Sequence, residues 1–325
     1  MKQFLPARPS VIALAACLLL YPLIFSGPYY LDIGAAFLLA AISASAWNIV
    51  GGYAGQVSVG HSMFFGFGAY APLLFYSLWG WPPIAGIPIG IVCSIALAVV
   101  IGVPTFRLTG HYFSMATIAV AELIRIFFGT WNLVGAAIGL QGPPTARTWW
   151  DLTFRSEVPY YYIFLAVLGV LLYVTAAIER RRFGYYLRAI KAGERAARSL
   201  GVPVQQTKIK ALILSAVFTS VAGSLYSIKT GFIDPESGFG ILVSVQMVII
   251  AALGGAGTLC GPLLGAFILI PLQTATNTWF GGGGSGLTYI IYGGIIVLIA
   301  RFEPGGMLDL WHRIAPQRWM RGHAA

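Results

Sequence analysis

Within the apolar stretch HYFSMATIAVAELIRIFFGTW at 111–131, Glu122 and Arg125 stand three residues apart, a spacing that puts both on one helix face where they can pair. An ionisable group at the centre of a membrane helix costs about 2.5–3.5 kcal/mol on the insertion scale and is expected to face the bundle interior or a wet cavity. The pair is therefore a candidate for lining a translocation path, or for locking helix packing. A second polar set is framed by glycine. In GGYAGQVSVGHSMFFGFGAY at 51–70, Gly51, Gly52, Gly55, Gly60, Gly66 and Gly68 surround Gln56, Ser58, His61 and Ser62. A further cluster, GGAGTLCGPLLGA at 254–266, carries Gly257, Gly261 and Gly265 before and after Pro262. Non-helical backbone at membrane depth is tolerated only where protein buries it or where it lines a cavity, and broken segments of this kind form the substrate site in many transporters. Gln56, Ser58 and His61 thus join Glu122 and Arg125 as path candidates, although the same glycines also suit plain turns with close small-residue packing. Asn48, Asn132 and Gln246 are expected to make interhelical hydrogen bonds.

Catalysis and cofactor binding find little footing. His61, His111, His312 and His323 show no H-E-x-x-H spacing, and Glu122 is the only acid well inside an apolar span, whereas an embedded active site needs a cluster of such groups. Cys17, Cys93 and Cys260 lie far apart with no C-x-x-C pair, so neither a disulfide framework nor a metal site is expected. The chain contains no G-x-x-x-x-G-K-[ST] and cannot hold ATP through a P-loop of its own. Neither enzyme activity nor a resident cofactor is expected.

The stretch 179–207, ERRRFGYYLRAIKAGERAARSLGVPVQQT, is the long charged interruption of the chain's interior. Within it, KAGERAARSLGV at 191–202 reads as a short helix. Ala196, Ala197 and Leu200 can share one small apolar face, and Gly201 can stop the helix in a left-handed cap. Such a helix can lie in another protein's groove with Glu194, Arg195 and Arg198 rimming the contact; the blander reading is an amphipathic helix resting on anionic lipid.

The elements that position these groups follow from composition. Of 325 residues, 58% are hydrophobic and 9% charged, with a mean hydropathy of +0.80, against about 25% charged in soluble domains. The fold class expected is an all-α, polytopic integral membrane protein. Apolar runs at 11–26, 33–50, 62–79, 83–104, 111–130, 159–178, 208–228, 239–253, 260–278 and 287–301 predict about ten transmembrane helices with broken, Gly-rich segments. At about 20 residues per span, ten helices leave no room for a large soluble domain, so residues 1–325 read as one transmembrane domain. Ten crossings put both termini and the 179–207 loop on one side. Of the 20 Lys and Arg, only Arg147, Arg155 and Lys229 fall opposite, and Arg125 lies inside a helix, which assigns the loop side to the cytoplasm. The net charge of +10 is explained by those loops and not by nucleic acid. The first apolar run is expected to be a retained helix rather than a cleaved signal peptide. The loop at 131–158, with Trp131, Trp149 and Trp150, is expected along the membrane surface, and Gly281–Gly284 as a flexible turn.

GERAARSLG, with Glu194, Ala196, Ala197 and Gly201, resembles the E-A-A…G cytoplasmic loop by which permeases of ABC importers engage their ATPases. Together with GGYAGQVSVGHSMFFGFGAY, ATIAVAELIRIFF at 116–128, the run at 183–227 and PESGFGILVSVQMVIIAALGGAGTLCGPLLGA at 235–266, it is similar to the permease family of branched-chain amino acid ABC importers, best to its LivM-like branch. The resemblance covers about 30–300 and departs at LVGAAIGLQGPP, 133–144, where relatives usually carry a Gly-rich T-G-G-x-x-G-[LI] segment. It implies a bacterial inner-membrane importer subunit that pairs with a homologous second permease, two cytoplasmic ATP-binding subunits and an extracytoplasmic solute-binding protein, with ATP held by the partners. The coupling residues it implies are Glu194, Arg195, Ala196, Ala197, Arg198, Leu200 and Gly201. The solute stays open among branched-chain amino acids, urea, amides and other amino acids. The alternative is a secondary transporter or channel working alone, which would need intramembrane acids as ion relays.

Overall fold

The computed structural model of the protein describes residues 8–25, 27–108, 110–142 and 151–279, with Gly293, Gly294 and Met307. Its helices are α1 (Arg8–Ile24), α2 (Pro28–Asn48, prolonged by a wider π turn, Ile49–Tyr53), α3 (Ser62–Trp79), α4 (Gly86–Thr105, entered by a 3-10 turn) and α5 (His111–Thr130). Then follow α6 (Glu157–Arg180), α7 (Arg182–Ala192), α8 (Glu194–Ser199), α9 (Val204–Thr230), α10 (Pro235–Phe239), α11 (Ile241–Gly254) and α12 (Gly261–Trp279). Six stretches of the described residues are long and apolar enough to cross a membrane: Pro28–Tyr53, Pro83–Thr105, His111–Thr130, Glu157–Arg180, Val204–Thr230 and Pro235–Gly254. The spans predicted at 11–26, 62–79 and 260–278 fall on α1, α3 and α12. The span predicted at 287–301, apart from Gly293 and Gly294, the tetraglycine at 281–284, and Trp149 and Trp150 lie outside the described residues.

Burial is greatest along α2 and α9. From Ala41 to Ala54 every residue of α2 and its π turn is buried, because α6, α9, α11 and α12 surround it. α9 meets α3 through small residues: Ser224 donates its hydroxyl to the Gly68 carbonyl at 2.7 Å, and a Cβ at Gly223 would overlap the Phe65 carbonyl oxygen. Lipid tails are as apolar as leucine, so helices in a bilayer gain little from hiding hydrophobic surface and associate by this kind of backbone approach. α4 packs against both α3 and α9, with Gly90 over Gly68.

One departure from all-helical structure matters for the site. Residues 131–142 do not lie loose: two 3-10 turns lead into β1 (Leu140–Gln141), which pairs antiparallel with β2 (Phe232–Ile233), Leu140 opposite Ile233. Tyr70, Phe128, Val134, Leu140, Ile233 and Phe239 form a small apolar cluster beneath this ladder. Trp131 is 41% exposed, in keeping with an interfacial ring.

Replacing Gly223 by leucine should lower the detergent melting temperature by an amount worth about 1–3 kcal/mol. Gly129→Ala, where an added Cβ meets nothing within 4 Å, should be neutral; equal stability of the two variants would refute the close α3–α9 contact.

Candidate functional site

Two groups of polar residues emerge, one on α5 and one where the 179–207 loop meets the broken backbone. On α5 the Arg125 guanidinium grips Glu122 with two N–H groups, Nε to Oε2 at 2.9 Å, and donates a third from Nη1 to Glu236 Oε2 of α10 at 3.0 Å. The side chains are 31%, 42% and 62% exposed for Arg125, Glu122 and Glu236, so this triad of one cation and two carboxylates is open on the face of the chain. It shares that face with Met115 and Ile126, 65% and 54% exposed. Glu122 also lines a cavity of about 320 Å³ with Val59, Ile118, Ala121, Phe239 and Ile241. A larger hollow of about 860 Å³ lies within the bundle, between α2, α11 and α12, with Asp234, Glu236, Gln246 and Gln273 among its lining.

Residues 54–61 run without helix between the π turn and α3. The Gln56 N–H closes back on the Val50 carbonyl at 3.1 Å. Trp47 Nε1 donates to the Ser58 carbonyl at 2.6 Å, Ser114 donates to the Val57 carbonyl, and the Val59 N–H donates to the Thr117 hydroxyl at 3.3 Å. His61 is fully buried, its two ring nitrogens each 2.9 Å from a hydroxyl, Ser58 and Ser215, and Ser215 donates to the Ala46 carbonyl at 2.6 Å. Ser215 stands roughly 16 Å along α9 from Val204 at 1.5 Å per residue, so His61 sits deep in the bundle. The second glycine cluster is pinned to the first by Asn48, which donates to the Thr258 carbonyl at 2.9 Å and accepts from the Gly257 N–H at 2.8 Å. A side chain at Gly52 would collide with both Asn48 and Gly257.

The predicted short helix is α8, and it ends as expected. Gly201 has φ +80°, the Val202 N–H reaches the Ala197 carbonyl at 3.0 Å and the Gly201 N–H the Arg198 carbonyl at 3.0 Å, the two bonds of a Schellman cap. The faces divide differently from the sequence reading. Ala197 turns inward with Ile190 and Val204, while Arg195, Ala196, Arg198 and Leu200 are exposed, Leu200 at 82%. Glu194 also turns inward, pairing with the buried Lys208 ammonium and accepting from Gln56 Nε2 at 3.1 Å. Gln56 therefore belongs with α8 and not with Ser58 and His61. Next to it, much of Lys191 is open to solvent but its ammonium is tucked against Gly257, and the lost hydration lowers its pKa from the ordinary lysine value.

Lys208 and Glu236 are the functional candidates that sequence reasoning missed. Lys208 reads as one more basic residue at a helix start, and Glu236 as part of the capped turn before α11; only the fold brings each to its partner. Gln246 does bridge helices, donating to Gln273 at 3.1 Å, and Asn132 opens a 3-10 turn. No cluster of three metal-ligating side chains occurs among the described residues.

Residues 29–300 match the family described as branched-chain amino acid transport system / permease component. The LivM permease of the high-affinity branched-chain amino acid transport system of Escherichia coli K12 is 28% identical, with 90% of this chain and 72% of that protein covered. A probable LivM permease of Methanocaldococcus jannaschii is 24% identical over 74% of each chain, and the autoinducer 2 import permease LsrC of Klebsiella pneumoniae is 27% identical over 58% of this chain and 56% of its own. The chain belongs to the branched-chain amino acid transport permease family, the membrane components of ABC importers, and is a multi-pass inner-membrane protein.

Because Arg125 keeps Glu236 when Glu122 becomes Gln, and exposed pairs are worth under about 1 kcal/mol, Glu122→Gln should barely shift thermal unfolding while slowing uptake; a large melting shift with normal uptake would make the pair structural only. Glu194→Ala strands a buried ammonium and should cost roughly 3–5 kcal/mol, most of it regained with Lys208→Met added, as read by denaturation in detergent.

Proposed function

We propose that this chain is the permease half of an importer that moves branched-chain amino acids, or a related small polar solute, into the cytoplasm with energy from separate ATP-binding subunits. The relatives' names support the solute class. The reading includes one domain of ten crossings over 1–325, both termini and the 179–207 loop in the cytoplasm, a homologous second permease, two ATPases docked on α8, and an extracytoplasmic binding protein that supplies the solute.

The observation that carries it is α8. A six-residue helix closed at its C-terminal end by the Gly201 cap, with Ala197 buried and Glu194 turned inward, presents Arg195, Ala196, Arg198 and Leu200 to the outside. Small residues allow a partner's groove to approach the backbone, a protruding leucine gives it an apolar anchor, and the arginines rim the contact. The ATPase thus pushes on a rigid part, and ATP itself is bound by the partners.

The α5 triad supports a path outside this chain's own bundle. Two charged groups open on the spanning helix α5, joined by Glu236 from α10, would be costly against hydrocarbon, so water or the second permease covers that face, and the solute passes along it by the cavity beside Glu122. Solute selectivity then rests mainly with the binding protein. An ion-driven transporter working alone would need an acid free to cycle protons; Glu122 is held by Arg125 at two points, which lends that alternative no support.

Leu200→Asp should leave the permease in the membrane and cut the ATPase recovered with it by tenfold or more on affinity purification. Full recovery of ATPase with normal leucine uptake would defeat the docking role of α8.

A further inference from the structure

We infer that Glu194 is a positioning residue inside the permease, a strut that carries the displacement of α8 through Gln56 to the irregular segment 54–61, and not part of the surface that meets the ATPase. The inference rests on the docking role of α8 proposed above and adds the route by which its motion reaches the path.

The orientation of one side chain sets it apart. Of the charged residues on α8, Arg195 and Arg198 are exposed and Glu194 points inward. One carboxylate oxygen, Oε1, accepts from both Lys208 Nζ and Gln56 Nε2. Lys208 is 1% exposed on α9, so that arm is anchored in packed protein. Gln56 lies on backbone that belongs to no helix or sheet and can shift without breaking a regular ladder. The loop touches this segment a second time at the neighbouring residue, where the Lys191 backbone and side chain close on Gly55. Two adjacent contacts fix direction as well as distance.

Beyond Gln56 the segment is tied to α5 by two bonds, Ser114 to the Val57 carbonyl and the Val59 N–H to Thr117, with Trp47 of the buried α2 holding the Ser58 carbonyl between them as a fixed point about which the segment turns. Val59 also lines the cavity that holds Glu122. A shift of α8 therefore arrives at the face of α5 by way of Gln56, Val57 and Val59, all hydrogen-bonded or covalent steps.

The test uses the whole importer in proteoliposomes with its binding protein, reading leucine delivered per ATP hydrolysed. Gln56→Leu keeps the Glu194–Lys208 pair and should leave ATPase association and hydrolysis within twofold of native, while leucine per ATP falls at least fivefold. Exchanging the groups, Gln56→Glu with Glu194→Gln, retains an amide–carboxylate bond beside Lys208 and should recover at least half of the native ratio, where Gln56→Glu alone, with two carboxylates opposed, does not. A native ratio in Gln56→Leu, or no recovery in the exchanged pair, would overturn the strut. Loss of ATPase binding in Leu200→Asp, measured in parallel, reports on docking separately, so the two readings can fail independently.

Discussion

Backbone amides and carbonyls that leave a helix inside a bilayer find no water, and each one left unpaired there costs several kcal/mol. This constraint governs the segment between α2 and α3. The chain departs from helix at Tyr53 and resumes at Ser62, and over that interval side chains replace the missing ladder: Trp47, Ser114 and Thr117 take up backbone groups, while Ser244 of α11 accepts the first amide of α3 at 2.6 Å. The price of an irregular segment is thus met by hydroxyls and one indole drawn from α2, α5 and α11. Those helices are consequently held to one another through a piece of chain that belongs to none of them.

Glycine serves the same arrangement. At Gly52 and Gly257 the backbones approach so closely that Asn48 can bond both the amide and the carbonyl on the far side. A larger residue would separate the two broken segments and leave the amide side chain of Asn48 buried without its partners. α7 and α8 stand against this same end of the molecule, with Lys191 and Glu194 touching consecutive residues of the segment. The capped helix α8, the irregular backbone and the cavity that holds Glu122 are therefore contiguous in space although they come from separate regions of sequence.

Much of this was legible in the residues. Nine of the ten apolar runs fall on described helices, most to within a few residues, GERAARSLGV announces a short capped helix, and the spacing of Glu122 and Arg125 yields a pair on one face. What local pattern could not supply is direction. Periodicity put Ala196, Ala197 and Leu200 on one face, but a helix of six residues is oriented by what it packs on, and Ile190 and Val204 claim Ala197 alone. Likewise Gln56 looked like a neighbour of Ser58 and His61 because the three lie within six residues, but the backbone turns at Gly55, φ +69°, and only the tertiary fold decides which side chain meets α8. Glu236 reaches Arg125 across 111 positions, a separation over which no spacing rule operates.

The two-residue ladder of β1 and β2 has a mechanical effect out of proportion to its length. Gly142 adds a further bond to it, 2.8 Å to the Gly231 carbonyl, so the chain leaving α5 is buttoned to the chain leaving α9 just ahead of α10. With that rim fastened, the ends of α5 and α9 cannot drift apart without breaking the ladder, and the Arg125–Glu236 bridge from α5 to α10 stays clasped beside it.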